Sequence, residues 1–153
     1  MNVLQGNLTI DTSVWIEFFL GTVVGEKLKN YFAQPTQKRV YLPLHAISEM
    51  YYILCRLRGE NFADVCINNI LVTKSITIDG SLNLARESGK IKCSRSISLV
   101  DCSCIALAKA TGTTAVFKHL EKEIEEEIAS KPFDVPLIFL EEEKVIPAGK
   151  LLP

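Results

Sequence analysis

The sequence predicts an α/β domain built on a mainly parallel sheet with right-handed crossovers, and three observations carry that expectation. Short β-rich runs alternate with longer segments of helical periodicity along most of the chain. Gly and Pro fall where those segments should end. With 153 residues, 48% of them hydrophobic and 23% charged, the chain can bury one substantial core. It shows no internal repeat, low-complexity linker or domain boundary, so one domain over 1–153 is expected.

NLTI at 7–10 reads as a buried first strand, after which Thr12 or Ser13 can cap a helix through WIEFFLG that Gly21 ends. A second helix is expected over 23–33, stopped by Pro35. RVYL at 39–42 reads as a strand, and Pro43 stands near the start of a long helix that closes at Gly59. Its apolar positions Ala46, Ile47, Met50, Tyr51, Ile53, Leu54 and Leu57 nearly surround it, which predicts a largely buried helix. A helix over 61–73, a short strand at 75–78 and a helix over 80–89 closed by Gly89 follow. The next helix runs from Ser98 to Ala110 with Gly112 as its stop, and TTAVF at 113–117 has the composition of a central strand. LEKEIEEEIA is helical, with Leu120, Ile124 and Ile128 stacked at four-residue steps. PLIFL at 136–140 is the last strand, and 141–153 is expected as an edge or a loose tail.

A net charge of −1 gives no global basic signal, so any nucleic-acid binding must use a local patch. The five cysteines are odd in number and lack zinc-type spacing; they read as small apolar residues in a reducing cytosol. The opening MNVLQGNLTID has neither a cationic start nor an apolar run, and no stretch of about 18 uncharged apolar residues occurs. No signal and no membrane span are therefore predicted, and a cytoplasmic location is expected.

Three carboxylates stand out. Asp11 in NLTIDTSVWI, Glu49 in VYLPLHAISEMYYILC and Asp101 in SISLVDCSCIALA are each the only charged residue of an apolar stretch, counting His as neutral. No Lys or Arg lies within four residues of any of them. Acids in such surroundings are seldom buried without a partner. Ligands in parallel sheets collect at the carboxyl ends of the strands, where Asp11 should stand. A shared divalent cation would explain all three at once. Hard carboxylate oxygens suit Mg²⁺ or Mn²⁺, which bind phosphate oxygens at the same time, so hydrolysis of a phosphodiester or phosphoanhydride is the matching chemistry.

Each acid also has a structural explanation. Ser98-Leu99-Val100-Asp101 is a capping box in which Asp101 bonds back to the Ser98 backbone. Asp11 suits an Asx turn or a helix cap. Glu49, inside a helix, caps nothing and would need an ion pair with Arg56 or a distant Lys. One shared site accounts for the three more simply than three separate reasons.

At these residues the chain resembles the PIN domain family, and within it the VapC-type ribonuclease toxins of prokaryotes. The resemblance rests on IDTSVWIEFF at 10–19, LPLHAISEMYYIL at 42–54 and SISLVDCSCIALAKATG at 96–112. It implies a three-layer α/β/α fold and an endoribonuclease dependent on Mg²⁺ or Mn²⁺, cutting RNA with a metal-activated water. It assigns catalysis and metal binding to Asp11, Glu49 and Asp101. It gives Ser13 and Ser98 the task of orienting the acids or a metal-bound water. It further implies a homodimer and a small antitoxin protein that occludes the site.

Many relatives carry a fourth acid after the late strand, in a Thr-x-Asp pattern; here Phe117 and His119 occupy those places. Glu121 or Glu123 can stand in, or His119 can ligate, although His119 also reads as a surface residue and Glu123–Glu127 as a solvated helix face. Lys38-Arg39, Arg56 with Arg58, Lys90 and Lys92 with Arg95, and Lys118 are candidate phosphate contacts or plain surface charges. Trp15 reads as core or dimer interface. The altered fourth position keeps open a module that binds RNA or protein without cutting. A flavodoxin- or receiver-like signalling domain fits poorly, because it leaves the helical Glu49 and Ser98–Asp101 without a role.

Overall fold

The computed structural model of the chain describes residues 3–152. Its short strands are β1 (Leu8–Ile10), β2 (Val40–Pro43), β3 (Ile76–Asp79), β4 (Thr114–Phe117), β5 (Leu137–Phe139) and β6 (Lys144–Ile146). They form one sheet in the order β3-β2-β1-β4-β5-β6, parallel except for β6, which runs antiparallel to β5. The helices are α1 (Thr12–Leu20), α2 (Val23–Ala33), α3 (Leu44–Arg58), α4 (Glu60–Val72), α5 (Leu82–Ser94), α6 (Leu99–Thr111) and α7 (Lys122–Ser130).

Successive strand residues point to opposite faces, and that alternation sorts the helices into two layers. Leu8, Ile10, Val40, Leu42, Val116 and Ile138 pack with Val14, Leu28, Met50 and Ile70 from α1–α4. Ala115, Phe117, Leu137 and Phe139 face the other way, against Cys104 and Ile105 of α6 and Ile124 and Ile128 of α7. Leu84 brings α5 onto α6 through Ala106 and Leu107. The result is the expected three-layer α/β/α arrangement. Trp15 is core, 1% exposed, in a ring cluster with Phe18, Phe19 and Phe32. All five cysteines are free.

The sheet order fixes where a site can form. The chain lays β2 and then β3 outward from one edge of β1, and returns to place β4 on the other edge. The carboxyl ends of β1 and β4 therefore flank the reversal point, where parallel sheets open a crevice. This order differs from the 2-1-3-4-5 order of flavodoxin-like domains.

The structure corrects two of the expected elements. Helix α5 does not close at Gly89 but runs on to Ser94. An interior Gly costs a helix only about 1 kcal/mol, and Ile91 continues past it the packed face that Leu84 and Ser88 begin. Helix α3 is not largely buried. Ala46, Met50 and Leu54 form one buried stripe at four-residue steps, whereas Leu57 is 58% exposed. It lies in an outer layer, with one side on the sheet and its neighbouring helices and the other in solvent. Of the two readings of the tail, the edge holds: residues 144–146 pair with β5.

Gly25 sets the α1–α2 crossing. A Cβ there would lie 2.2 Å from the Glu17 carbonyl oxygen and 2.7 Å from the Phe18 Cα, both backbone atoms that cannot swing away. Gly25→Ala is expected to destabilise the fold by roughly 3 kcal/mol, lowering the melting temperature by about 6–12 °C. Gly89→Ala, whose added methyl meets nothing within 4 Å, should instead stabilise α5 slightly. Thermal unfolding of the two variants checks both signs.

Candidate active site

Asp11 ends β1 and caps α1. Its Oδ2 accepts the Ser13 backbone N–H at 3.0 Å and the Ser13 hydroxyl at 2.6 Å. Ser13 Oγ in turn accepts the Lys118 N–H at 3.2 Å, and the Asp11 N–H donates to the Val116 carbonyl at 2.9 Å. The turn after β1 is thereby stitched to the turn after β4.

Asp101 lies in the first turn of α6. Ser98 caps that helix by accepting the Asp101 N–H at 3.0 Å and donates its hydroxyl to Asp101 Oδ2 at 2.6 Å. The capping box is therefore real, but the carboxylate meets the Ser98 hydroxyl and not its backbone. Among the described residues, nothing donates a hydrogen bond to Oδ1 of either aspartate. Gly112, at φ 65°, ends α6 in the left-handed conformation and accounts for its predicted stop.

Asp11, Glu49, Asp101 and Glu121, with Ser13 and Ser98, line one open cleft of about 240 Å³. Glu49 reaches it from α3 and Glu121 from the cap of α7. The ion pair that would have explained Glu49 structurally does not form among the described residues; Arg56 stacks instead over Tyr52, 4.9 Å from the ring centroid. Among the described residues no Lys, Arg or His pairs with Asp11, Glu49 or Asp101. His119 is not part of the cleft wall and sits 3.8 Å from Glu121. Glu123 is exposed and does not line the cleft.

Uncompensated charge dominates this cleft. Burial, then the Asp101 charge, pushes the Asp11 pKa up to about 7, against the lowering effect of Ser13 and with a further rise from Glu49. Burial likewise raises Asp101, opposed by Ser98 and reinforced by Glu121 and Glu49. Beneath them the Cys104 thiol is pushed well above its ordinary range by burial and by both aspartates, which makes it inert as a nucleophile. Among the described residues, no group of three His, Cys, Asp or Glu side chains stands in metal-holding geometry. Each aspartate is turned to its own serine, and like charges do not gather without a cation between them. The donor set itself, carboxylate oxygens carrying charge that nothing neutralises, fits a hard divalent cation.

Several basic residues considered for phosphate contact are committed elsewhere. Lys118 pairs with Glu17 at 2.7 Å. Lys92 donates to the Ile97 carbonyl at 2.7 Å. Arg95 is buried over the Phe133 ring and donates to the Lys131 and Pro132 carbonyls, holding the entry to α6. The Glu17–Lys118 pair beside the site is not legible in the sequence, since 101 positions separate its members. Thr12, read there only as an alternative cap, lines the cleft with a buried hydroxyl that has no hydrogen-bond partner among the described residues.

The raised Asp11 pKa is a statement about stability. The folded state holds the Asp11 proton more tightly than the unfolded chain, so this contribution is complete below pH 4 and is lost as pH rises through about 7. With chelator present, Asp11→Asn should match the parent protein at pH 4 and exceed it at pH 8, by at most about 4 kcal/mol. Denaturant unfolding across that pH range measures the gap.

The PIN domain family model matches residues 8–126. No curated protein matches the sequence significantly. Among solved structures, Mycobacterium tuberculosis VapC20, a sarcin-ricin loop cleaving toxin, superposes with a TM-score of 0.61 at 17% identity, covering 78% of this chain and 93% of its own. VapBC2 from Rickettsia felis, bound to a DNA fragment from its promoter, gives 0.59 at 12% identity, with 74% and 88% covered. A toxin–antitoxin complex from Klebsiella pneumoniae gives 0.54 at 18% identity, with 76% and 88% covered. At these identities the likeness is one of fold, and it agrees with the sheet and helix layers found here. Since the family model spans β1 through most of α7, and with them all four cleft carboxylates, the chain belongs to the PIN domain family.

Proposed function

We propose that this chain is a metal-dependent endoribonuclease of the toxin type, with Asp11, Glu49 and Asp101 as its catalytic, metal-holding carboxylates. The observation that carries the reading is the meeting of these three acids with Glu121 in one cleft at the strand-order reversal, with no cation among the described residues paired to the first three. When bound, Mg²⁺ or Mn²⁺ supplies a Lewis acid for the phosphodiester and lowers the pKa of a water that attacks it. Ser13 and Ser98 each fix one carboxylate through Oδ2 and leave Oδ1 for ligation. Glu121 takes the place of the family's fourth acid, reaching the cleft from four residues beyond β4. His119, 3.8 Å from Glu121, is the partner that orients it.

The toxin structures found with antitoxins support a small antitoxin protein as partner. RNA as substrate, a homodimer and action in the cytoplasm belong to the same reading. A module that binds RNA without cutting is the second reading, favoured by Phe117 and His119 at the fourth-acid pattern and by the aspartates' turn toward their own serines.

Purified protein incubated with end-labelled mixed RNA should cut it with Mn²⁺ or Mg²⁺ and not with EDTA. Asp101→Asn should lower the rate by more than about a hundredfold, and Ser98→Ala by roughly tenfold, as loss of a supporting group does. RNA retention without cutting, in parent and variant alike, would select the binding module. Sedimentation at micromolar concentration should give a dimer; a monomer would remove that part of the reading.

A further inference from the structure

A second hollow, of about 260 Å³, opens at the carboxyl ends of β2 and β3. Leu84, 6% exposed, forms its floor and Leu44 one side; His45, Ser48, Asp79 and Ser81 form a polar rim. His45 precedes Glu49 by four residues, just over one turn of α3 and about 6 Å along the axis. A strand lying in the acidic cleft and crossing that turn would therefore enter this hollow.

Its chemistry is selective. Asp79 Oδ1 accepts the Ser81 N–H at 2.7 Å, while among the described residues nothing donates to Oδ2. Among the described residues, neither the Ser48 hydroxyl nor the His45 ring has a hydrogen-bond partner. Among the described residues no cation pairs with Asp79, so a phosphate would meet an unscreened carboxylate and be repelled. A flat, partly apolar group carrying N–H donors fits instead. Single-stranded RNA offers such groups, since its bases stack on side chains such as His and expose their Watson–Crick edges. Guanine alone presents N1–H and N2–H₂ side by side on that edge, the donor pair that a carboxylate accepts.

We propose that this hollow is a guanine subsite, in which Asp79 accepts the N1 and N2 protons, Ser48 donates to O6, and His45 and Leu84 bracket the ring of a base next to the scissile phosphate. The link to a scissile phosphate rests on the ribonuclease reading; the binding of the base does not.

The test is NMR titration of the full chain, with Mg²⁺ present, by GMP, AMP, CMP and UMP. GMP should shift the amides of Ser48, Gly80 and Ser81 and bind roughly tenfold more tightly than the other three. Asp79→Asn should abolish that preference without altering the fold, because Asn keeps the Oδ1 that accepts the Ser81 N–H. Ser48→Ala, which disturbs no side-chain hydrogen bond among the described residues, should weaken GMP several-fold. No shift at these amides with millimolar GMP, or equal shifts with all four nucleotides in parent and Asp79→Asn, would overturn the subsite. The RNA assay separates the two ideas. Metal-dependent cutting without guanine preference removes the subsite alone, whereas GMP binding without any cutting supports the subsite and removes the ribonuclease reading.

Discussion

The junction of β1 with β4 is the constraint on which the rest of the molecule depends. Leu8 pairs with Thr114 and Ile10 with Val116, and the stitching continues past the strands through the Asp11 N–H on Val116 and the Lys118 N–H on Ser13. Because β2 and β3 lie on one side of this seam and β5 and β6 on the other, it joins the two halves of the sheet. It also places the crevice. Asp11 cannot leave the crevice without breaking its own cap on α1, and Asp101 is held opposite by α6, which packs across β1, β2 and β4.

The acids are set where folding alone would not favour them. Burying a carboxylate beside another is unfavourable, and burial together with Asp101 lifts Asp11 to near neutrality. Two serines partly offset the cost with short hydrogen bonds, yet neither brings a positive charge. Elsewhere the chain pairs its charges readily, as in Arg95 with Glu127 and Lys27 with Glu143. The contrast separates carboxylates that support the fold from those that need something the fold does not contain. Sites of binding and catalysis commonly show such local disagreement with folding rules.

Much of this was legible in the sequence for identifiable reasons. Gly21 announces the end of α1, and Ser98 and Gly112 both ends of α6, because caps are local chemistry; the cap of α1 is Asp11 and not the expected Thr12 or Ser13. The three isolated acids were visible because each breaks an apolar run. What sequence could not supply was position in the round. Gly89 looks like a stop until the packing of Ser88 and Ile91 carries α5 past it. The apolar surround of α3 looks like burial until one side meets solvent. Glu121 and His119 could not be told apart as cleft residues, since that depends on how the chain turns between β4 and α7. Arg95 resembled a surface cation, and only the Phe133 ring and two carbonyls show it to be a buried brace.

The seam between β1 and β4 also orders events in time. Its partners are 106 positions apart at Leu8 and Thr114, a separation that makes their pairing among the slower steps of folding. On a ribosome adding about 5–20 residues per second, the first strand waits several seconds for its neighbour. Throughout that interval Asp11 has no Val116 carbonyl, and Ser13 no Lys118 amide, to hold the turn in place. The nascent chain thus carries Asp11 apart from its later neighbours, and the cleft comes into being only once β4 has been made and paired with β1.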